Sequence, residues 1–137
     1  MNTGKTVFSQ LMSFLPTNEF NKSVEKYKGN HHVRNFNCKD HFYVMGFAQL
    51  TYRVSLRDIE SCLKAFSNKL YHSGIKQSVP KSKLAKANES RDWRIYADYS
   101  KGPEFSLSLI KTTAGMVCAI VLKNLVFQFF GITISLI

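Results

Sequence analysis

The fold is decided by residues 55–99, SLRDIESCLKAFSNKLYHSGIKQSVPKSKLAKANESRDWRIYADY. Ser55 can cap a helix, and Asp58 follows three residues later, where an acid gives a weaker form of the capping box. Apolar residues then recur every three or four positions, which predicts a helix with one buried face. The residues of that face are Leu56, Ile59, Cys62, Leu63 and Phe66.

Two further helices are predicted after a turn region at residues 72–80. The second is short, covers residues 82–88 and has Ser82 as its candidate N-cap. The third is expected to begin near Ser90. Its Trp93 can be a DNA-facing aromatic or a core anchor, and the core anchor is favoured because an indole buries a large area. The residues predicted to face inward are Leu84, Ala85, Ala87, Trp93, Ile95, Tyr96 and Tyr99. A helix, a turn and a short helix flanked by cations are typical of a helix-turn-helix-like DNA-binding unit.

Upstream of this stretch the pattern predicts three more helices. The first covers residues 1–15 and is stopped by Pro16, and the second runs from residue 17 or 18 to the glycine at 29. The third, over residues 39–52, is apolar on more than one face, so we expect it to be central, with His41 on or near its surface. The predicted fold is therefore an all-α, small multi-helix bundle over residues 1–100.

The charge of the chain points to a polyanionic partner. The 137 residues carry a formal net charge of +10, and the isoelectric point is near 9.7. Such a balance favours contact with DNA, RNA or an anionic membrane surface.

The cations and one amide around the helix-turn-helix-like unit are the candidate DNA-binding residues. Lysines there would contact phosphates, and such contacts position the protein rather than read sequence. Asn88 and Arg91 are the candidates for base edges, because asparagine can pair with adenine and arginine with guanine. The full predicted set is Arg53, Arg57, Lys81, Lys83, Lys86, Asn88, Arg91 and Arg94.

Three long motifs carry a family resemblance: TGKTVFSQLMSFLP at 3–16, AQLTYRVSLRDIESCL at 48–63 and AKANESRDWRIYADY at 85–99. In these motifs the chain resembles the N-terminal domain, of unknown function, of bacterial insertion-sequence transposases of the IS-four type. The resemblance covers residues 1–99. It implies the end-binding or otherwise non-catalytic part of a transposase, ahead of an RNase-H-like DDE core. The implied partners are the double-stranded DNA of the element's terminal repeats and further copies of the chain.

The sequence offers no candidate catalytic, metal-binding or cofactor-binding residues. DDE transposases place three carboxylates around two divalent metals, and none of the nine acids here lies in a matching motif. Zinc at His31, His32, Cys38 and His41 is disfavoured, because structural zinc ligands usually come in closely spaced pairs. We therefore expect no enzymatic activity. The odd number of cysteines, three at wide spacings, favours a reducing compartment, and the predicted location is the cytoplasm.

Residues 101–137 form a hydrophobic tail that does not match the family pattern and whose structure the sequence leaves open. One interpretation is a membrane span at 114–137, which is long enough but contains Lys123, Asn124 and Gln128 near its middle. The other is a truncated or frameshifted transposase gene with an out-of-frame end.

Two alternatives to DNA binding remain open at this point. The front part of the chain can be a helical protein–protein or dimerisation module of a transposase, since transposases assemble as oligomers on paired ends. The chain can also be a small basic membrane-anchored protein held by residues 114–137.

Overall fold

The computed structural model describes residues 7–53, 55–71 and 74–102. All regular structure in these ranges is helical, with no strand, which confirms the predicted all-α class. The helices are α1 (Val7–Ser13), α2 (Thr17–Lys26), α3 (Cys38–Leu50), α4 (Leu56–Ala65), α5 (Ser67–Leu70), α6 (Lys81–Ser90) and α7 (Arg94–Lys101). The hydrophobic tail and its proposed span at 114–137 lie outside the described residues, as does the start of the first predicted helix.

The chain divides into two compact units. Unit 1 contains α1, α4, α5, α6 and α3 except its first residue; unit 2 contains α2, α7 and the segment that joins α2 to α3. No helix in the described ranges is long and apolar enough to cross a membrane. The predicted change of character after residue 100 stays a prediction.

In unit 1, α4 begins as the sequence predicts. The hydroxyl of Ser55 accepts a hydrogen bond of 3.1 Å from the backbone N–H of Asp58, which satisfies one of the free donors of the first turn. Ile59, Cys62 and Leu63 are buried, and this apolar face is the side on which α4 packs against α6.

The apolar centre of unit 1 is built around α3. Phe42, Val44, Met45 and Ala48 are all buried, as expected for a central helix. The ring of Phe8 on α1 meets the ring of Phe47 edge to face, with 5.5 Å between the centroids.

In unit 2, α2 packs against α7. The rings of Phe20 and Tyr99 meet edge to face at 5.1 Å, and both residues are buried. At the rim of this contact, Asp98 accepts hydrogen bonds from the ammonium group of Lys26 at 2.7 Å and from the hydroxyl of Tyr27 at 2.6 Å. An aromatic contact and a polar clamp thus join the two helices.

Two predictions about single residues are wrong. His41 is 1% exposed rather than near the surface, because its ring bonds to the Asn88 side chain on α6. Trp93 is 52% exposed rather than a core anchor, because it lies in the turn between α6 and α7 and precedes the first residue of α7.

Smaller differences concern helix ends and faces. The last predicted helix starts at Arg94 instead of near Ser90, which is the last residue of α6. The short helix starts at Lys81 rather than after a Ser82 cap. Ala85 points to solvent, and Phe66, which follows the last turn of α4, is 41% exposed.

Candidate nucleic-acid interface

The outward side of α6 carries two unpaired lysines. Leu84 and Ala87 fix the inner side of the helix because they are buried, whereas Lys83 and Lys86 are exposed. Residues three apart lie about 60° from each other around a helix axis, so these two ammonium groups share a face. Neither has an ion-pair partner among the described residues. Lys83 and Lys86 are called the α6 lysine pair below.

The outward side of α4 contributes Arg57, which is exposed and whose guanidinium has no partner within the described part of the chain. Lys64 lies two turns further on the same side and is paired with Glu60, with 2.8 Å between Nζ and Oε1. Arg53, just before α4, makes a long ion pair of 3.7 Å with Asp58, and the Nε atom of its guanidinium is buried. At the start of α4, the guanidinium of Arg57 is therefore the more accessible of the two.

Glu60 ties α4 to the start of α6. Its carboxylate accepts a hydrogen bond of 3.2 Å from the backbone N–H of Lys81 while it also pairs with Lys64. The hydrogen bond from Lys64 and then that from Lys81 lower the pKa of Glu60, so the carboxylate stays charged at neutral pH. This contact sets where the first turn of α6 begins relative to α4.

Cations outnumber acids in the described part of unit 1. That part of the chain contains nine lysines and arginines but only four acidic residues. Two of the four acids, Asp58 and Glu60, are already engaged by basic groups. The surface that remains is positive, as a site for a polyanion requires.

Asn88 has an internal role. Its Oδ1 lies 2.6 Å from Nε2 of His41, and its Nδ2 is buried without a hydrogen-bond partner in the described residues. A side chain held in this way ties α6 to α3 and is poorly placed to read a base.

Arg91, the other candidate for a base contact, is also engaged within the protein. Its guanidinium donates to the carbonyl oxygen of Phe36 and to the sulfur of Cys38, the latter at 3.0 Å. Cys38 is fully buried, and this burial raises the pKa of its thiol despite the nearby guanidinium. Arg91 therefore holds the segment before α3 in place.

Arg94 belongs to unit 2, whereas the other exposed candidates belong to unit 1. Its guanidinium is 3.8 Å from Asp92 and lies 6.0 Å from the centroid of the Trp93 ring. Five of the eight predicted residues are exposed or half-exposed cations on or next to α4 and α6 of unit 1: Arg53, Arg57, Lys81, Lys83 and Lys86.

Lys64 belongs with this group, although the sequence-based set omits it. It stands seven residues after Arg57, and this spacing places the two cations on one side of a helix. The same spacing was available in the sequence and could have identified it.

The described residues contain no group of three or more histidine, cysteine or acidic side chains that could hold a metal ion. Most acids there pair with a cation instead. The paired acids are Glu19, Asp58, Glu60, Asp92 and Asp98.

Comparison with known proteins identifies the family. The model of the family described as "Domain of unknown function (DUF4372)" matches residues 3–76, just over half of the chain. The chain belongs to the DUF4372 family. The match covers α1 to α5 and ends before α6. No curated protein and no solved structure matches the chain.

Proposed function

We propose that this DUF4372 protein binds double-stranded DNA through the α6 lysine pair together with Arg57 on α4. The observation that carries the proposal is the pair itself: two exposed ammonium groups on one helix face, without partners in the described residues and beside the buried apolar side of α6. Lys81 at the start of α6 and Arg53 just before α4 add two more cations to this part of unit 1.

The physical basis is counterion release. Each lysine that replaces a condensed cation at a phosphate contributes about 0.9 to the slope of log affinity against log salt. Between 1 M and 0.1 M salt, this slope corresponds to about eightfold tighter binding for each contact. Contacts of this kind are independent of sequence, and Asn88 and Arg91 are engaged internally, so we expect little base readout from α6.

The proposed biological setting is transposition. DUF4372 domains are common in transposase-like proteins, and the motifs of this chain resemble the N-terminal part of transposases of the IS-four type. We therefore propose that the chain binds the ends of an insertion sequence in the cytoplasm and does not itself cut DNA.

The test is a salt titration of binding to a duplex that carries the element's terminal repeat. Replacing Lys83 and Lys86 together with alanine is expected to weaken binding roughly sixtyfold at 0.1 M salt and to reduce the salt slope by about 2. A duplex of unrelated sequence should lose the same amount, because phosphate contacts carry no sequence information.

A matched control removes two positive charges from unit 2, by Lys22→Ala with Lys101→Ala. These two lysines are exposed, and the control lowers the net charge as much as the α6 double variant does. If both double variants changed affinity and slope equally, a diffuse charge effect would explain binding and the α6 lysine pair would not be the DNA-binding site.

A further inference from the structure

Tyr52 is the most conspicuous exposed aromatic residue of unit 1. It lies two residues after the end of α3 and is 90% exposed. Hydrophobic stabilisation scales with the apolar area removed from water, so the fold gains almost nothing from this ring.

The backbone conformation of Tyr52 is also one that glycine adopts more readily than tyrosine. Its φ of 57° lies in the left-handed region, which residues with a Cβ adopt at an energetic cost. The backbone N–H of the next residue, Arg53, donates a hydrogen bond of 2.9 Å to the carbonyl oxygen of Ala48. This is the bond of a Schellman motif, which ends a helix and most often has glycine at the left-handed position that Tyr52 occupies. Neither packing nor backbone conformation therefore explains a tyrosine here.

The backbone that precedes the Tyr52 ring is held in place by hydrogen bonds of Thr51. The backbone N–H of Thr51 donates 3.0 Å to the carbonyl of Phe47, and the Thr51 hydroxyl donates 2.8 Å to the same oxygen. A side chain on such a base loses little freedom when it binds, which favours affinity.

Two arginines follow Tyr52 closely in the chain. Arg53 is adjacent and only weakly paired, and Arg57 is exposed on the first turn of α4. An aromatic ring beside groups that hold the phosphate backbone is the composition of sites for unpaired nucleotides, whose bases stack on the ring. We propose that Tyr52 is a stacking platform for an unpaired nucleobase next to the duplex-binding surface. This inference rests on the proposed DNA binding of unit 1.

The experiment compares a blunt duplex with the same duplex extended by a short single strand that carries a fluorescent purine analogue. The full chain is expected to bind the extended DNA about tenfold more tightly and to quench the analogue by stacking. Tyr52→Gly should abolish the preference and the quenching, keep the affinity for the blunt duplex, and raise the urea midpoint of unfolding, since glycine relieves the left-handed strain. Tyr52→Phe should keep the preference because the ring remains.

The outcomes separate this inference from the proposed function. If the chain bound both DNAs equally, or if Tyr52→Gly kept the preference, the stacking role would be overturned while duplex binding stood. Binding of the single strand without binding of the blunt duplex would overturn the proposed function and leave the stacking role in place. If Tyr52→Gly changed self-association but no DNA affinity, the ring would belong to a protein interface and the inference would fail.

Discussion

The packing around Gly29 gives a prediction whose size can be worked out from distances. A Cβ atom at Gly29 would lie 2.5 Å from Cδ1 of Ile95 and 2.7 Å from Sγ of Cys38. Both neighbours are fully buried, so neither can move into solvent. Overpacking of this kind lowers the free energy of unfolding by about 1–3 kcal/mol. Alanine also reduces the conformational entropy of the unfolded chain relative to glycine, which raises the free energy of unfolding by about 0.4–1 kcal/mol. We expect Gly29→Ala to lower the free energy of unfolding by about 1–2 kcal/mol.

A double-mutant cycle in urea tests the cause of this loss. Ile95→Val removes the atom nearest to the new methyl group and by itself costs about 1 kcal/mol. In the double variant the alanine gains room, so the loss should be smaller than the sum of the single losses by about 0.5–1 kcal/mol. Contact with Cys38 remains, and the rescue is therefore expected to be partial.

Gly46→Ala is the matched control for this cycle. Its Cβ would lie 3.2 Å from the terminal methyl of Met12, the end of a flexible side chain, and alanine is the better helix former. We expect a neutral effect or a gain of up to about 1 kcal/mol. The reasoning would be refuted if Gly29→Ala were as stable as the unchanged chain, or if its loss and that of Ile95→Val were strictly additive.

Three further predictions concern the ends and contacts of helices. Ser55→Ala should lower the free energy of unfolding by about 1 kcal/mol in urea, because it removes the N-cap of α4, and an unchanged value would exclude the cap. Asn88→Ala should cost about 1–3 kcal/mol because a bond to buried His41 is lost, while discrimination between DNA sequences in a competition assay stays the same. Hydrogen bonds, first from Lys26 and then from Tyr27, lower the pKa of Asp98, so its contribution is present above the unfolded pKa and is lost as pH falls through the lowered folded pKa. Unfolding measured against pH should accordingly show a smaller stability difference between the unchanged chain and Asp98→Asn in acid than at neutral pH.

Features that depend on local sequence could be predicted. The cap at Ser55 and the buried face of α4 follow from the spacing of residues within one helix, and the structure confirms both. The start of α2 directly after Pro16 is local in the same way. The exposed lysine pair of α6 follows from the positions of Leu84 and Ala87 on the same helix.

Features that depend on distant residues could not be predicted. His41 is buried because Asn88, 47 residues later, meets its ring, and a single helix pattern cannot contain that information. Arg91 was predicted to contact a base because its hydrogen-bond partners, Phe36 and Cys38, precede it by more than fifty residues and cannot be recognised from the local sequence. Gly29 suggested a helix end through its conformational freedom, but the left-handed residue there is Lys28, and Gly29 is needed for close packing.

The most direct test of DNA binding through α6 is lysine acetylation footprinting of the full chain with and without duplex. We expect protection of Lys83 and Lys86, with no change at Lys22 and Lys28, which lie in unit 2. Equal acetylation of the α6 lysine pair in the free and the DNA-bound protein would contradict the proposed interface.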